Sequence, residues 1–156
     1  MRRLTTLVAA LVLALLPGCS KTPTTPTSDA PSGPRSGTWI GTLADTSNGQ
    51  GALRVVLQET PFGSGQGVLS GTWSTTFADG SKNAVGDAVG SLMGAVVQLN
   101  LQRTAPSSCP PPVPPFAFPG SYFALNLTLS GTTISGTYDY HTCTTPVRGT
   151  LTITKQ

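Results

Sequence analysis

Residues 37–156 alternate between apolar and polar side chains with a period of two, and this pattern constrains the fold more than any other feature. A period of two is typical of strands with one buried face, and no stretch keeps the 3.6-residue period of an amphipathic helix. Glycine, proline, asparagine and aspartate interrupt the alternation at short intervals, as turn residues do. The pattern predicts eight strands, near residues 37–44, 52–59, 66–77, 84–92, 95–103, 121–130, 132–141 and 147–155.

The apolar members of these strands predict the interior of the domain. One apolar face opposite one polar face is typical of antiparallel sheets that are wet on one side. The predicted interior residues are Leu53, Val55, Leu57, Val97, Leu99, Leu101, Phe123, Leu125, Leu127, Leu129, Ile134, Tyr138, Tyr140, Val147, Leu151 and Ile153.

Short turns connect several of the predicted strands. Asn48-Gly49, Asp79-Gly80-Ser81 and Ser130-Gly131-Thr132-Thr133 all have turn composition. Tight links between sequential strands favour up-and-down order, and eight such strands can close into a barrel, which removes exposed edges. We therefore predict an all-β fold, an eight-stranded antiparallel up-and-down barrel, with a β-sandwich as the alternative.

Two segments depart from simple alternation. Gly86, Gly90 and Gly94 are spaced by four residues, which predicts a glycine-bent strand rather than a short helix. Residues 109–119 are rich in proline, which cannot donate to a strand ladder, and predict a long loop.

The first 18 residues have the composition of an export signal. Arg2 and Arg3 precede a mostly apolar run that is too short to span a membrane as a helix. Leu16-Pro17-Gly18-Cys19 resembles the bacterial lipobox. The resemblance implies cleavage before Cys19 and attachment of acyl chains such as palmitate to it, which anchors the protein in a membrane. Ser20 follows the cysteine, and the sorting rule of enteric bacteria then favours the outer membrane.

Residues 19–35 predict a lipidated cysteine followed by a disordered tether. The segment is rich in proline, threonine and serine and has no apolar anchor. Residues 36–156 form the predicted barrel domain. Nine Lys and Arg stand against six Asp and Glu, and loss of Arg2 and Arg3 leaves seven against six, a net charge of +1. This near-neutral chain has no stripe of basic residues, which excludes a basic surface that binds nucleic acid.

The chain has three cysteines. If Cys19 carries lipid, Cys109 and Cys143 remain as a pair in an oxidising compartment. We predict a disulfide between them.

A short word recurs along the domain: Ser36-Gly37-Thr38-Trp39, Ser70-Gly71-Thr72-Trp73, Ser135-Gly136-Thr137-Tyr138 and, in part, Arg148-Gly149-Thr150-Leu151. It places glycine two residues before a large side chain, where the backbone bends or the ring packs across the glycine. The word resembles strands of the calycin barrels, the avidin and lipocalin types. The lipocalin resemblance implies that Arg148 covers Trp39.

Catalytic chemistry has little support in the sequence. Asp139 and His141, the only histidine, share a strand face, but no nucleophile motif accompanies them. His141 and Cys143 supply too few ligands for a structural zinc site. We therefore expect neither an enzyme nor a metal or other cofactor.

Two functions remain open. In the first, the barrel binds a small apolar ligand, with Phe116 and Phe118 as a lid. The expected lining is Trp39, Trp73, Phe123, Tyr138 and Tyr140. In the second, the barrel is solid and the protein is a structural or interaction lipoprotein of the outer envelope, whose loops contact an envelope partner.

Overall fold

The computed structural model describes residues 33–104, 121–141 and 146–156, and their strands form one closed barrel. Each strand pairs antiparallel with its sequential neighbour, and the last pairs with the first. The strands are β1 (Gly37–Asp45), β2 (Gly49–Gly63), β3 (Gln66–Phe77), β4 (Ala84–Met93), β5 (Val96–Arg103), β6 (Tyr122–Ser130), β7 (Thr133–His141) and β8 (Pro146–Lys155).

The predicted all-β up-and-down barrel is confirmed, because the pairing of β1 with β8 closes the sheet. Each predicted strand coincides with one observed strand, although β2 is longer at both ends than the predicted 52–59. The glycine-rich segment forms β4, as expected. Among the described residues the helical structure is one 3₁₀ turn, Gly80–Lys82, and no helix there is long and apolar enough to cross a membrane.

Inward-facing side chains fill the barrel. An eight-stranded barrel has an interior that side chains fill or that holds one small ligand. Burial of a leucine-sized side chain stabilises the fold by about 1.5–3 kcal/mol. The buried apolar core consists of Trp39, Leu43, Leu53, Val55, Leu57, Leu69, Trp73, Phe77, Ala88, Leu92, Val97, Leu99, Leu101, Tyr122, Ala124, Leu127, Ile134, Tyr138, Leu151 and Ile153.

β6 contains a bulge that changes which residues face inward. Tyr122 and Ala124 are buried in its first half and Leu127 in its second. The register accounts for this change, because Val97 of β5 pairs with Leu127 and Leu99 pairs with Ala124. Two steps along β5 therefore correspond to three steps along β6, which contains one additional residue. The prediction of one uninterrupted face from Phe123 to Leu129 is therefore wrong, because an inserted residue shifts a period-two pattern to the other face.

Aromatic rings lie across glycines of the neighbouring strand. Tyr138 is paired with Gly149 and Trp73 with Gly86. A Cβ at Gly149 would overlap the Tyr138 ring, and a Cβ at Gly86 would lie 2.8 Å from the Trp73 Nε1. Gly71, inside the recurring word, lies close to the backbone of the neighbouring strand, because a Cβ there would overlap the Val56 carbonyl oxygen. The rings thus pack on cross-strand glycines rather than on the glycine of their own word.

The two ends of the barrel differ. At one, which we call the closed end, short turns join β2 to β3, β4 to β5 and β6 to β7. The turns are hydrogen-bonded to one another, because the Gly94 amide donates to the Gly65 carbonyl at 2.8 Å and the Leu129 amide to the Ala95 carbonyl at 2.8 Å. At the opposite end, which we call the loop end, lie residues 46–48 and 78–83 together with the described residues Thr104, Ser121, His141 and Pro146.

Residues 33–36 lie over the closed end. Glu59, buried at the end of the barrel interior, accepts a hydrogen bond from the Arg35 amide at 2.8 Å, and its carboxylate lies 3.6 Å from the Arg35 guanidinium. The Ser36 hydroxyl accepts from the Glu59 amide at 2.8 Å. The Gly33 amide donates to the Glu59 carbonyl at 3.0 Å. Residues 33–36 therefore contact the barrel at this end, and they satisfy the buried carboxylate of Glu59.

We expect Gly86→Ala to lower the free energy of unfolding by about 2–3 kcal/mol, as overpacking of a filled core does. The added Cβ would overlap the Gln102 carbonyl oxygen, a backbone atom that cannot rotate away. The matched control is Gly80→Ala, whose Cβ would lie 3.9 Å from its nearest neighbour, the Asn83 Nδ2. Urea unfolding followed by tryptophan fluorescence measures both, and equal stabilities would contradict the packing argument.

Candidate functional site

Three tyrosines, which we call the tyrosine cluster, meet inside the loop end. The register pairs Tyr122 of β6 with Tyr140 of β7, and Tyr138 lies on the same face of β7. The ring centroid of Tyr122 is 4.9 Å from that of Tyr140 and 5.2 Å from that of Tyr138. Trp73 of β3 meets Tyr122 edge to face at 5.5 Å. These separations are typical of favourable aromatic pairs, so three strands contribute to one aromatic group.

Asp45 connects this cluster to the first turn. Its carboxylate accepts hydrogen bonds from the Tyr138 hydroxyl at 2.7 Å, the Asn48 amide at 2.6 Å and the Ser47 amide at 2.8 Å. Partial burial raises the pKa of Asp45, but the hydrogen bonds from Asn48, Tyr138 and Ser47 outweigh it, and the pKa lies below its ordinary value. Asp45 therefore stays ionised and fixes the Tyr138 hydroxyl as a donor.

Burial raises the pKa of all three phenols. For Tyr138 the hydrogen bond to Asp45 adds to burial, and for Tyr122 the neighbouring Tyr140 and Asp45 add to it. For Tyr140 burial outweighs the opposing charge of Arg103. The tyrosines are therefore neutral near pH 7 and act as hydroxyl donors and acceptors rather than as bases.

Thr75 places a buried hydroxyl beside the cluster. The residue is 3% exposed, and its hydroxyl lies near that of Tyr122. Within the described part of the chain, the Thr75 Oγ1 has no hydrogen bond of standard geometry. A buried hydroxyl without a full partner is uncommon and costs free energy.

The residues predicted to line a ligand cup are divided between the two ends. Tyr138 and Tyr140 lie together at the loop end, with Trp73 against Tyr122, whereas Trp39 is buried near the closed end. Tyr138, Trp39 and Trp73 are core residues, and Tyr140 is half-buried. Ligand binding by these four residues remains a prediction.

Both indole N–H groups are occupied by backbone carbonyls. Trp39 Nε1 donates to the Arg35 carbonyl at 3.0 Å, and Trp73 Nε1 donates to the Gln102 carbonyl at 3.0 Å. Neither indole offers a hydrogen-bond donor to a ligand in this arrangement. Both tryptophans therefore serve as packed core residues whose polar edge is already satisfied.

Arg148 does not cover Trp39. Arg148 lies toward the loop end with a side chain that is 77% exposed, and its Nε donates to Asp139 Oδ1 at 3.2 Å. Trp39 pairs with Lys155 at the other end of β8. The expectation from the lipocalin resemblance is therefore wrong, and the Arg35 backbone takes the position over this indole.

Asp139 forms an ion pair with Arg148. The backbone amide of His141 donates to the Ser121 carbonyl at 3.0 Å.

A shallow groove of about 350 Å³ lies on the outer face of β2, β3 and β4. Its side chains come from outward positions, including Arg54, Thr72, Ser74, Val85 and Asp87. Trp73 and Gly86 also line the groove, whereas none of the three tyrosines is among its described lining residues.

Sequence reasoning missed Tyr122, Thr75 and Asp45. Tyr122 has the opposite parity to the predicted apolar set Phe123 to Leu129, and the bulge in β6 is not visible in the alternation. Thr75 has the inward parity of Trp73 and Phe77, so the alternation itself contained this signal. Asp45 precedes Thr-Ser-Asn-Gly, and an aspartate that accepts from the amides two and three residues later is typical of such turns.

Several predicted sites lie outside the described residues. These are the signal peptide and Cys19, the Cys109–Cys143 disulfide, and Phe116 and Phe118 in the proline-rich loop. They remain predictions from the sequence. The described ends of that loop, Thr104 and Ser121, both lie at the loop end of the barrel.

No protein-family model matches the chain, and neither the curated proteins nor the solved structures give a significant match. Within residues 33–104, 121–141 and 146–156, no three His, Cys, Asp or Glu side chains are grouped so that they could hold a metal ion.

We expect acid to weaken the contact between Asp45 and Tyr138. The folded-state pKa of Asp45 lies below the value of about 3.9 for an unfolded aspartate, so its ionised form contributes stability above that pH. This contribution is lost as the pH falls through the folded-state pKa. Asp45→Asn should therefore flatten the loss of stability below about pH 4, measured by thermal unfolding across pH.

Tyr138→Phe tests the same contact at neutral pH. It removes one donor to the carboxylate, so we expect a loss of about 1 kcal/mol and a higher pKa of Asp45. An NMR titration of the Asp45 carboxyl carbon measures that pKa. An unchanged pKa in Tyr138→Phe would contradict the assigned cause.

Proposed function

We propose that this chain is a lipid-anchored envelope protein whose barrel is a rigid, solid-core platform that presents its loop end to an envelope partner. The observation that carries the proposal is the filled interior. Buried apolar side chains from all eight strands occupy the barrel, and residues 33–36 lie over the closed end. Recognition by such a barrel takes place on its surface rather than inside it.

The position of the N-terminal segment supports an orientation. The described chain begins at Gly33, on the closed end, and the predicted lipid site Cys19 lies 14 residues earlier in the sequence. A barrel attached through Gly33 directs its closed end toward the anchor. The loop end, on the opposite side, then faces away from the membrane.

The composition of the loop end suits a polar protein partner. Asp79 and Lys82 lie on its 3₁₀ turn, and Asp139 and Arg148 form an exposed ion pair. Exposed charges of both signs add specificity more than affinity. The proline-rich loop that departs from this end contains Phe116 and Phe118, and aromatic anchors of this kind supply most of the binding energy of protein interfaces.

A photocrosslinking amino acid at Ser81 tests this proposal in the intact chain in its host envelope. Ser81 is exposed on the loop end, and the matched control is Thr152, exposed on the outer face of β8. We expect a discrete adduct from Ser81 and none from Thr152. The adduct should be lost when Phe116 and Phe118 are both replaced by alanine.

Adducts of equal yield from both positions, or from neither, would contradict presentation by the loop end. Cys19→Ser is the control for anchoring. It should release the protein from the membrane fraction without changing the fold, because Cys19 precedes all the described residues that contact the barrel.

A second candidate function is binding of a small molecule at the tyrosine cluster. The observation that favours it is the buried Thr75 hydroxyl, which lacks a hydrogen bond of standard geometry beside three neutral phenols. These groups suit a ligand with an apolar body and one polar end. Half-buried Tyr140 is the member that such a ligand would contact first.

Native mass spectrometry of the gently purified protein distinguishes the candidates. A ligand would appear as extra mass that disappears under denaturing conditions and is reduced in both Tyr140→Ala and Thr75→Val. If no ligand uses the hydroxyl, Thr75→Val should leave the protein equally stable or more stable, because it removes an unsatisfied polar group. A bare polypeptide mass together with a stabilised Thr75→Val would contradict the ligand-binding function.

A further inference from the structure

Of the seven large apolar side chains that are exposed among the described residues, four lie at the closed end. Phe62 is 63% exposed, Met93 62%, Val68 51% and Val96 49%. The register pairs Met93 with Val96 across β4 and β5, and Val68 pairs with Ser91, two residues from Met93. We call these four residues the apolar rim, and exposed apolar groups of this kind mark interaction surfaces.

A bulge presents Phe62 on this rim. Pro61 of β2 pairs with Gly67 of β3, and Gly63 pairs with Gln66, the neighbour of Gly67. Phe62 is therefore the additional residue of β2. Bulges change the direction of a side chain without ending a strand. A large aromatic residue that projects into solvent from a bulge gains nothing for the stability of the barrel itself, and its placement favours a role in contact.

The two hairpins that carry the rim are fixed to each other. The Gly94 amide of one turn donates to the Gly65 carbonyl of the other at 2.8 Å. Phe62 and Val68 lie beside one turn, and Met93 and Val96 beside the other. The rim is therefore a preformed surface that binds without an ordering cost in its backbone.

The segment that leads toward the predicted anchor, residues 33–36, also lies at the closed end. Lys155 Nζ donates to the Pro34 carbonyl at 2.6 Å, so residues 33–36 lie on the closed end. The sequence between Cys19 and Gly33, residues 20–32, spans roughly 40 Å at about 3.1 Å per residue if fully extended. An anchor within this reach keeps the apolar rim at a high effective concentration near lipid, where a weak contact suffices.

Charge at the closed end permits approach to lipid. Of the described acidic side chains, Glu59 belongs to this end, and it is buried against Arg35. Asp45, Asp79 and Asp139 belong to the loop end, and Asp87 is exposed on the outer face of β4, six residues before Met93. Arg35 and Lys155 are the cationic side chains near the rim. An approaching membrane, including one with anionic lipid, therefore meets no exposed carboxylate side chain among the described residues here.

We propose that the apolar rim docks on the surface of the membrane that holds Cys19, with Phe62 and Met93 in the interfacial region and the barrel standing on its closed end. The inference rests on the proposed lipid anchor. It goes beyond that anchor because it assigns a second, side-chain contact with lipid and a fixed orientation of the barrel.

Quenching of introduced tryptophans by brominated lipid tests the docking. The full lipidated chain is reconstituted in phosphatidylcholine vesicles that contain brominated phosphatidylcholine and a minority of phosphatidylglycerol. Phe62→Trp and, independently, Met93→Trp place the probe on the rim. Val85→Trp is the matched control, because Val85 is 61% exposed on the outer face of β4, near the loop end. It lies eight residues from Met93, roughly 26 Å along the strand.

We expect the emission of each rim tryptophan to fall about twofold, as for a side chain in the headgroup and acyl boundary. The Val85→Trp emission should remain unchanged. Trp39 and Trp73 are buried and provide the same background in every variant. Flotation of the vesicles reports the anchor separately.

Protein that floats with the vesicles but shows no quenching at Phe62→Trp and Met93→Trp would overturn the docking and leave the anchor standing. Equal quenching of rim and control would overturn the fixed orientation. A chain that does not float would overturn the anchor and the docking together. Rim tryptophans that are shielded only as the protein concentration rises would assign the rim to a second copy of this chain instead.

Discussion

Close approach of strands at inward-facing glycines is the constraint on which the rest of this barrel depends. Gly86, Gly149 and Gly51 each leave room for a ring of the neighbouring strand, respectively Trp73, Tyr138 and Phe77. The rings then fill the interior between the leucines. A barrel with larger residues at these glycines would have to move its strands apart, which would open cavities elsewhere in the core. The solid interior and the position of the tyrosine cluster both follow from these pairs.

The difference between the two ends follows from connection length. Short turns at the closed end bring neighbouring backbones within hydrogen-bonding distance. Hydrogen bonds of Glu59 with Arg35 and Ser36 hold the N-terminal segment over the same end. Longer connections at the loop end leave polar and aromatic groups to be organised by side chains, as Asp45 organises Tyr138. The closed end is therefore fixed by backbone contacts, whereas side-chain contacts organise the surface of the loop end.

The sequence was sufficient for the strands and the barrel but not for the candidate site. Val97, Leu99 and Leu101 show their buried face directly, because alternation is a local property. The contact between Asp45 and Tyr138 joins residues 93 positions apart. The pairing of Tyr122 with Tyr140 depends on a bulge that leaves no trace in residue type. These contacts depend on the register between strands that are distant in sequence. A single sequence contains little information about that register.

The enclosure of β1 between two partners has a mechanical consequence. Trp39 to Asp45 are paired on one side with β8, and Gly37 to Asp45 on the other with β2. A pull transmitted from an anchored Cys19 would enter at Gly33 and run nearly along β1. Both ladders would then be loaded in shear, with many hydrogen bonds strained together rather than broken one after another. The strand that follows the predicted tether is thus held by two ladders against force directed away from the membrane.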